Sequence, residues 1–345
     1  MNGAGGVVHD AGGDIDIVAD GTSPGSDTLA RIRRAVASVV VGNEEALDQL
    51  LIALLCRGHV LVEDVPGVGK TLLARSLASV LGCAFARIQL TPDVLPSDIT
   101  GSNVFNQRNA EFEFRPGPIF TQVLLADEIN RATPRSQSAL LEAMEERQVT
   151  SDGVTHRLEE PFFLLATQNP IELEGTFPLP EAQLDRFLLR VTLGYPSEEE
   201  EFEILRRFEH DADSSLAPVT DASELLALQH RRASVLVSDD VRAYLVAVAR
   251  ETRADPRLRL GASPRATLAL HKASQARALL HGRDFVLPDD IKALAVPVLA
   301  HRLILDPGAR LRGISTEEIL LEIVERLAVP VEDESRDATA LSGRG

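Results

Sequence analysis

A glycine-rich loop stands between an apolar run and a helical pattern around residue 67. The run 59–63 leads into the sequence DVPGVGKT at residues 64–71, and a helical pattern over 71–81 follows at once. Glycines allow the backbone to fold around an anion, so that successive N–H groups and the helix N-terminus point at phosphate oxygens. A strand, a glycine loop and a helix in this order form a P-loop, which predicts binding of a nucleoside triphosphate.

The residues of this loop have separate predicted roles. Lys70 would reach the β- and γ-phosphates of ATP, and the Thr71 hydroxyl would ligate Mg²⁺. Asp64 replaces the first glycine of the usual pattern, but the two later glycines keep the loop flexible, so we expect binding to be retained. The residues predicted to bind the nucleotide around the loop are Pro66, Gly67, Val68, Gly69, Lys70, Thr71 and Leu72.

A second motif ends an apolar strand in two carboxylates. Residues 123–128 are VLLADE, in which Asp127 would hold Mg²⁺ through water and Glu128 would orient and deprotonate the attacking water. An apolar run followed by Asp-Glu is a weak signal alone, but it is a strong one downstream of a P-loop. The pair therefore predicts that the chain hydrolyses ATP as well as binding it.

Three further polar residues have two interpretations each when only their local sequence is considered. Asn169 follows an apolar run and could bond the lytic water or the γ-phosphate, although an Asn before Pro is more often a turn residue. Arg186 precedes the last predicted strand, and its simpler interpretation is a surface arginine paired with Asp185. Arg265 stands in the first turn of a predicted helix, where a cation is poorly placed unless an anion such as phosphate compensates.

The elements that must position these residues change character near residue 196. Before it, short apolar runs alternate with helical patterns, which favours an α/β fold with a parallel sheet whose strands are buried on both faces. The predicted strands are 59–63, 85–90, 123–126, 162–167 and 188–191. After it, helical patterns at 197–208, 222–232, 238–250, 264–281, 289–300 and 315–327 predict a small all-α domain.

Local signals give the remaining organisation. Helices are also predicted from residue 27 to about 40, after Gly42, and over 134–146; Thr133 and Ser263 are candidate N-caps, and Ser315 with Glu318 forms a capping box. The predicted domains are an α/β core over 26–195 and a helical lid over 196–330. Residues 1–25 and 331–345 are too poor in apolar residues to offset their ordering entropy, so both are predicted to be disordered tails.

Bulk properties narrow the function classes. The 345 residues give room for about two domains, and the net charge of −17 argues against broad nucleic-acid binding, which needs clustered lysine and arginine. No apolar stretch approaches the ~18 residues of a membrane span and no signal peptide is evident, so we expect a cytoplasmic protein. Cys56 and Cys83 fit no metal or disulfide spacing and are expected to be reduced, buried thiols.

Together these motifs resemble those of the MoxR family of AAA+ ATPases, over residues 27–330. The segments that carry the resemblance are 63–71, 117–120, 125–131, 166–170 and 179–187. The resemblance implies a sheet of order 5-1-4-3-2, with strands numbered along the chain, a helical lid, and assembly into a ring, usually a hexamer. Asp64 also matches the looser P-loop of this family.

Residue roles follow from the same resemblance. It assigns Asn169 as sensor 1, Arg265 as sensor 2 reporting from the lid, and Arg186 as the arginine finger that completes a neighbour's site. Val41 and Gly42 would line the adenine pocket. Residues 102–115 match the family's helix-2 insert and 148–160 match a hairpin before sensor 1. The phenylalanines of the insert either pack within their hairpin or contact a substrate or partner.

The implied function is ATP-driven chaperone work, in which protein complexes are remodelled or matured, often with a von Willebrand A-domain partner. A metal-chelatase ATPase subunit has a similar AAA+ module, and the sequence separates this alternative least well. A nucleic-acid motor or transcriptional regulator is disfavoured, because residues 148–160 contain one arginine, one histidine and three acidic residues. We therefore expect a ring of identical chains acting on a protein client, with no membrane partner.

Overall fold

The structure, a computed structural model, describes residues 24–170, 175–209 and 216–329. The predicted tails 1–25 and 331–345 lie outside these residues, except for Pro24 and Gly25. These two belong to the first helix, so their assignment to a disordered tail is wrong. None of the helices in the described ranges is long and apolar enough to cross a membrane.

The described ranges contain strands and helices with the following bounds. The strands are β1 (Val60–Glu63), β2 (Phe85–Gln89), β3 (Gly101–Asn106), β4 (Glu111–Pro116), β5 (Val123–Asp127), β6 (Gln148–Ser151), β7 (Val154–Arg157), β8 (Phe163–Gln168), β9 (Leu189–Val191), β10 (Leu258–Leu260) and β11 (Ile304–Leu305). The helices are α1 (Pro24–Ala37), α2 (Glu44–Leu55), α3 (Lys70–Val80), α4 (Pro96–Thr100), α5 (Pro134–Glu146), α6 (Glu181–Leu184), α7 (Glu198–Glu209), α8 (Ala222–Arg232), α9 (Asp239–Ala254), α10 (Pro264–Leu280), α11 (Pro288–Leu299), α12 (Pro307–Leu311) and α13 (Thr316–Arg326).

Five parallel strands form one sheet in the order β2-β5-β8-β1-β9. Numbered along the chain these five are 2-3-4-1-5, which confirms the predicted order as counted from the other side of the sheet. The register places Asp127 opposite Gln89 and Glu63 opposite Gln168. The carboxyl ends of these strands therefore meet along one edge of the sheet, here called the carboxyl edge, and their starts lie along the opposite, amino edge.

The outermost strand, β2, departs from the expectation that every strand is buried on both faces. Strands β5 and β8 are buried almost throughout, whereas β2 is half-exposed along its length. It has a neighbour on one side only, and Arg87 and Gln89 interrupt its apolar sequence. That interruption is the sequence signal of an outer strand.

Helix starts follow the predicted capping residues. The Thr133 hydroxyl accepts the Ser136 N–H at the start of α5, and Ser263 accepts the Ala266 N–H at the start of α10. Ser315 caps α13, and the Glu318 side chain accepts the Ser315 N–H in return, which confirms the capping box.

The C-terminal helices form a lid, but they are not its only elements. Strands β10 and β11 pair antiparallel within it. They have three and two residues, too few to show an alternating pattern, so the prediction of an all-α domain missed them. Helix α10 packs against α2, and one cluster of buried side chains continues from α1–α3 into α8–α11 and α13. The lid is therefore packed onto the flank of the sheet.

Two antiparallel hairpins project from the α/β core at the positions of the predicted inserts. Strands β3 and β4 form the first, and β6 and β7 form the second, turning at Asp152 and Gly153 with φ angles of 48° and 81°. Phe114 of the first hairpin stacks on His156 of the second with 3.9 Å between ring centroids, and Asn103 donates to Asp152 at 2.6 Å. The hairpins are therefore tied to each other.

Candidate nucleotide site

The loop between β1 and α3 has room for an anion beside its backbone. Gly67 and Gly69 have φ angles of 89° and 86°, which glycine adopts without strain. A Cβ atom on either residue would meet nothing within 4 Å. Helix α3 begins at Lys70, so the unpaired N–H groups of its first turn lie at the same loop. The loop therefore fits a phosphate chain, as the sequence predicted.

Lys70 lies among carboxylates. Its Nζ donates to the Asp64 carbonyl oxygen at 3.0 Å. Partial burial lowers the pKa of Lys70, and the negative charges of Asp64, Asp127 and Glu128 oppose that shift. The structure thus brings the predicted phosphate-binding lysine and both predicted acidic residues together at the carboxyl edge.

Asp127 is buried and held from two sides. The Thr167 hydroxyl donates to its Oδ1 at 3.1 Å, and Arg87 Nε lies 2.6 Å from its Oδ2. The Thr167 hydroxyl also accepts the Glu128 N–H at 3.0 Å. Thr167 and Arg87 were not among the predicted site residues. The available signals were a polar residue ending an apolar run and a basic residue within one.

Glu128 has an uncommon backbone conformation. Its φ of 59° and ψ of 51° are left-handed, a conformation that costs a non-glycine residue free energy and that concentrates at functional sites. Its carboxylate pairs with Arg131 at 2.8 Å and is about one-third exposed (34%), so water has access to it. This combination suits a residue that must contact a water molecule beside a phosphate.

Oxygen ligands suited to Mg²⁺ lie at the same edge. Thr71 is in the first turn of α3, and Asp127 ends β5. Magnesium prefers oxygen ligands and keeps several waters, so it is usually held by one or two carboxylates together with substrate phosphates. Within the described ranges, no cluster of three or more His, Cys, Asp or Glu could hold a metal ion. The residues fit an ion that binds together with ATP.

The other residues predicted to bind nucleotide at this edge lie in the loop, in α3 and just after β8. Asn169 is half-buried and follows β8, which lies between β5 and β1 in the sheet. Pro66 is exposed, Val68 is half-buried, and the Leu72 side chain is exposed on α3.

Asp64, the residue that replaces a P-loop glycine, has a structural role that the sequence did not reveal. Its side chain is buried, and Oδ2 accepts the N–H groups of Leu193 and Gly194 at 2.6 and 2.8 Å. Its Oδ1 accepts the Val65 N–H at 2.8 Å. These bonds tie the start of the P-loop to the segment that leads from β9 into the lid.

A cleft of about 660 Å³ opens between the core and the lid near this segment. Its walls include Asn43 and Tyr195 from the core, and Glu200 and Lys292 from the lid. Gly42 precedes this wall and packs so closely on Glu200 that a Cβ atom would lie 2.4 Å from the carboxylate. The predicted adenine residues Val41 and Gly42 are thus next to the cleft, and the lining begins at Asn43.

The two predicted arginines lie at the other edge of the sheet. Arg186 Nε is 3.1 Å from Glu145 Oε2, and Arg265 donates to Glu145 Oε1 at 3.3 Å. Glu145 is near the end of α5, which starts after the carboxyl edge and runs roughly 20 Å back. Arg147, which follows α5, donates to the carbonyl of Arg57 just before β1. This group is therefore at the amino edge.

Arg265, which the resemblance assigns as sensor 2 of the lid, lies apart from Lys70, Asp127 and Glu128. It stands beside Arg186, with its Nε 3.6 Å from Asp185 Oδ2. Helix α10 packs along α2, and its first turn, which carries Arg265, therefore lies at the amino edge.

Comparisons with known proteins agree with this architecture. Residues 59–189 match the family model described as "ATPase family associated with various cellular activities (AAA)", and residues 250–323 match the AAA lid domain. The chain is similar to the uncharacterized protein YeaC of Bacillus subtilis (strain 168), with 52% identity over 88% of this chain and 95% of the relative. It is 42% identical to Chaperone MoxR1 of Mycobacterium tuberculosis, over 90% of this chain and 85% of that protein.

Structural similarity extends over most of the chain. A crystal structure of a candidate ATPase from Cytophaga hutchinsonii superposes with a TM-score of 0.84 at 38% identity, covering 89% of this chain and 96% of that one. A magnesium-chelatase 38 kDa subunit from Acidiphilium rubrum is a more distant relative, 27% identical over 85% of this chain and 98% of the subunit.

Proposed function

This chain belongs to the MoxR family of AAA+ ATPases, and we propose that it couples the hydrolysis of Mg-ATP to the remodelling or maturation of protein complexes. Membership makes it a nucleotide-binding ATPase. The chaperone role is supported by the name of the relative Chaperone MoxR1 and by an exposed aromatic pair on one hairpin.

We assign the chemistry to residues of the carboxyl edge. Lys70 binds the β- and γ-phosphates, Thr71 and Asp127 hold Mg²⁺, and Asn169 contacts the γ-phosphate or the lytic water. Glu128 orients that water and takes its proton. Mg²⁺ held by these residues would offset the negative charge that develops during phosphoryl transfer. The adenine base would enter the cleft beside Val41 and Gly42.

We further propose that chains assemble into a ring, most simply a hexamer, in which Arg186 and Arg265 both serve a neighbouring site. Both arginines pair with Glu145 at the amino edge, whereas the P-loop of their own chain lies at the carboxyl edge. A subunit interface would place them against the carboxyl edge of the next chain. An arginine finger supplied in this way stabilises the charge of the transition state.

The exposed pair Phe105 and Phe112 carries the proposal of a protein client. The two rings contact edge to face at 5.3 Å on the first hairpin, yet they are 50% and 72% exposed. Apolar rings left in solvent on a projecting element are characteristic of interaction sites. The second hairpin, tied to the first, is too acidic for a nucleic-acid strand.

The test is client capture by the Glu128→Gln variant, which should bind ATP and not turn it over. With ATP it should retain fluorescently labelled unfolded casein, and the added substitutions Phe105→Ala and Phe112→Ala should remove most of the retention. Phe202→Ala is the matched control, because Phe202 is a similarly exposed phenylalanine, on α7. Stimulation of the ATPase rate by single-stranded DNA, with no retention of casein, would reject the chaperone role.

The same capture from cell extract, with identification by mass spectrometry, distinguishes the remaining alternatives. A von Willebrand A-domain protein is the partner that we propose from the resemblance. Specific retention of a chelatase subunit would instead support the metal-chelatase alternative.

A further inference from the structure

The segment that carries Arg186 is held by the core and by the lid at the same time. On the core side, Phe187 is fully buried and the Leu188 N–H donates to the His59 carbonyl at 2.8 Å. On the lid side, the carbonyls on either side of Arg186 accept hydrogen bonds from residues that follow α11. The position of Arg186 therefore depends on the position of the lid.

Arg302 supplies most of the lid's hold. Its side chain is 4% exposed, and Nε donates to Asp185 Oδ1 at 2.8 Å. One terminal nitrogen donates to the carbonyls of Asp185 and Phe187 at 3.3 and 2.7 Å. The other donates to the Leu188 carbonyl at 3.4 Å and, within the lid, to the Val298 carbonyl at 2.5 Å. The five hydrogen bonds equal the five N–H donors of a guanidinium.

The Arg302 guanidinium carries a positive charge, in addition to having a hydrogen-bond acceptor for each of its donors. Burial lowers the pKa of Arg302 to about 10, and the Asp185 carboxylate opposes that shift. The side chain is thus protonated at neutral pH, and its planar fork fixes the direction of each contact. A neighbouring lid residue adds to the hold, since His301 Nε2 lies 3.1 Å from the Phe187 carbonyl.

A second lid contact fixes the other end of the same stretch. Arg190 on β9 pairs with Glu317 at the start of α13, and its other nitrogen is 3.3 Å from Glu63, the residue before the P-loop. Side chains of the lid therefore contact the segment 185–190 at both of its ends, at Asp185 and at Arg190. The intervening residues cannot move relative to the lid without breaking the contacts of the buried Arg302 guanidinium, which are costly to lose.

We propose that Arg302 and Asp185 are positioning residues for Arg186, joining the lid and the arginine finger into one rigid unit. The lid of one subunit then sets the finger in its neighbour's site, so that the nucleotide cleft of one subunit influences hydrolysis in the next. This inference rests on the proposed trans role of Arg186. A purely structural role predicts only that the protein loses stability when the pair is broken.

The experiment uses mixed rings, in which a substitution at Arg302 or Asp185 is placed in only one of the two subunits that form an active site. Lys70→Ala subunits lack a working P-loop and donate the finger, whereas Arg186→Ala subunits accept it. Mixed rings, verified by native mass spectrometry, give a reference ATPase rate. Arg302→Lys, which keeps the charge and loses the fork, is then introduced into donors alone or into acceptors alone. Asp185→Asn is tested in the same two positions.

When either substitution is in the donor subunits, we expect the ATPase rate to fall on the order of 10- to 100-fold. A misplacement of a reacting group by about 1 Å has an effect of this size. Acceptor placement should leave the reference rate nearly unchanged. The matched control is Arg283→Lys in donors, since Arg283 makes a comparable bidentate pair with Asp290, both residues lying within the lid. That control should also keep the reference rate.

Two other outcomes reject the inference at different levels. Equal losses from donor and acceptor placement would show that the pair only stabilises the fold, with the trans finger still standing. An inactive reference mixture in verified mixed rings would reject the trans finger itself, and the positioning role with it.

Discussion

The two edges of the parallel sheet hold their charged groups in opposite ways. At the carboxyl edge, Lys70 makes one hydrogen bond to the described part of the chain, and the loop glycines face open space. At the amino edge, Arg302 has all five donors satisfied by protein oxygens. Lys70 and the loop backbone thus keep room for an anionic ligand, whereas Arg302 is already satisfied within the chain. Changes at the first edge should remove function, and changes at the second should remove stability or coupling.

The largest effect is expected from Lys70→Ala. Removing the ammonium group leaves the phosphates without their main cation, and hydrogen bonds to charged groups contribute about 1.5–3 kcal/mol each. We expect nucleotide affinity to fall by at least roughly 100-fold, with ATPase activity lost and the free energy of unfolding nearly unchanged. Titration calorimetry with ATP measures the affinity. Lys272→Ala on α10 is the control, and retained affinity in Lys70→Ala would remove the basis for the site.

Glu128→Gln should separate binding from turnover. The amide cannot take a proton from water, so we expect kcat to fall on the order of 10²- to 10⁴-fold while ATP affinity stays within a few-fold of the parent. A steady-state phosphate-release assay beside calorimetry gives both numbers. Glu142→Gln, an exposed glutamate of α5, serves as the control. A Glu128→Gln protein that kept most of its rate would show that another group activates the water.

The two edges also differ in how far the sequence predicted them. The P-loop, Asp127 and Glu128 are contiguous motifs, so their chemistry could be inferred from neighbouring residues, and the strand order followed from resemblance. Arg302 and Asp185 are 117 residues apart, and only the packing of the lid brings them together. Asp64 illustrates the middle case: its substitution for glycine was visible, but its partners Leu193 and Gly194 were not. Long-range side-chain contacts leave no local pattern in one sequence.

Stability at the amino edge should depend on pH through buried histidine. His59 lies 3.1 Å from the Met144 carbonyl through Nε2, and its Nδ1 accepts the Leu164 N–H at 3.0 Å. Burial, aided by the charge of Arg147, lowers the pKa of His59 to about 3. A neutral imidazole with its proton on Nε2 fits both contacts, because Nε2 then donates to the Met144 carbonyl and Nδ1 accepts. A proton on Nδ1 would oppose the Leu164 N–H.

The sign of the effect follows from proton uptake. Between pH 6.5 and pH 3 the unfolded chain binds a proton at His59 and the folded chain does not, so stability is lost as the pH falls. We expect the free energy of unfolding to drop by about 2 kcal/mol from pH 7 to pH 5 on account of this residue. Urea unfolding at the two pH values measures it. His59→Gln should reduce the drop and His230→Gln, at an exposed residue of α8, should not; equal drops in both variants would contradict the assignment.

The smallest effect concerns α5, the helix that connects the two edges. Thr133 accepts the Ser136 N–H at its first turn, and the helix ends near Glu145, which pairs with Arg186. Thr133→Ala removes the cap and should lower the free energy of unfolding by about 1 kcal/mol, whereas Thr133→Ser keeps the hydroxyl and should cost only a few tenths. Because a frayed first turn does not shift the far end of a 13-residue helix, the amino-edge pairings should persist. Rescue of ATPase activity in mixed rings should therefore be unchanged when Thr133→Ala is placed in the finger-donating subunit. A loss confined to that placement would show that α5 transmits strain between the edges, and that the two edges are not independent.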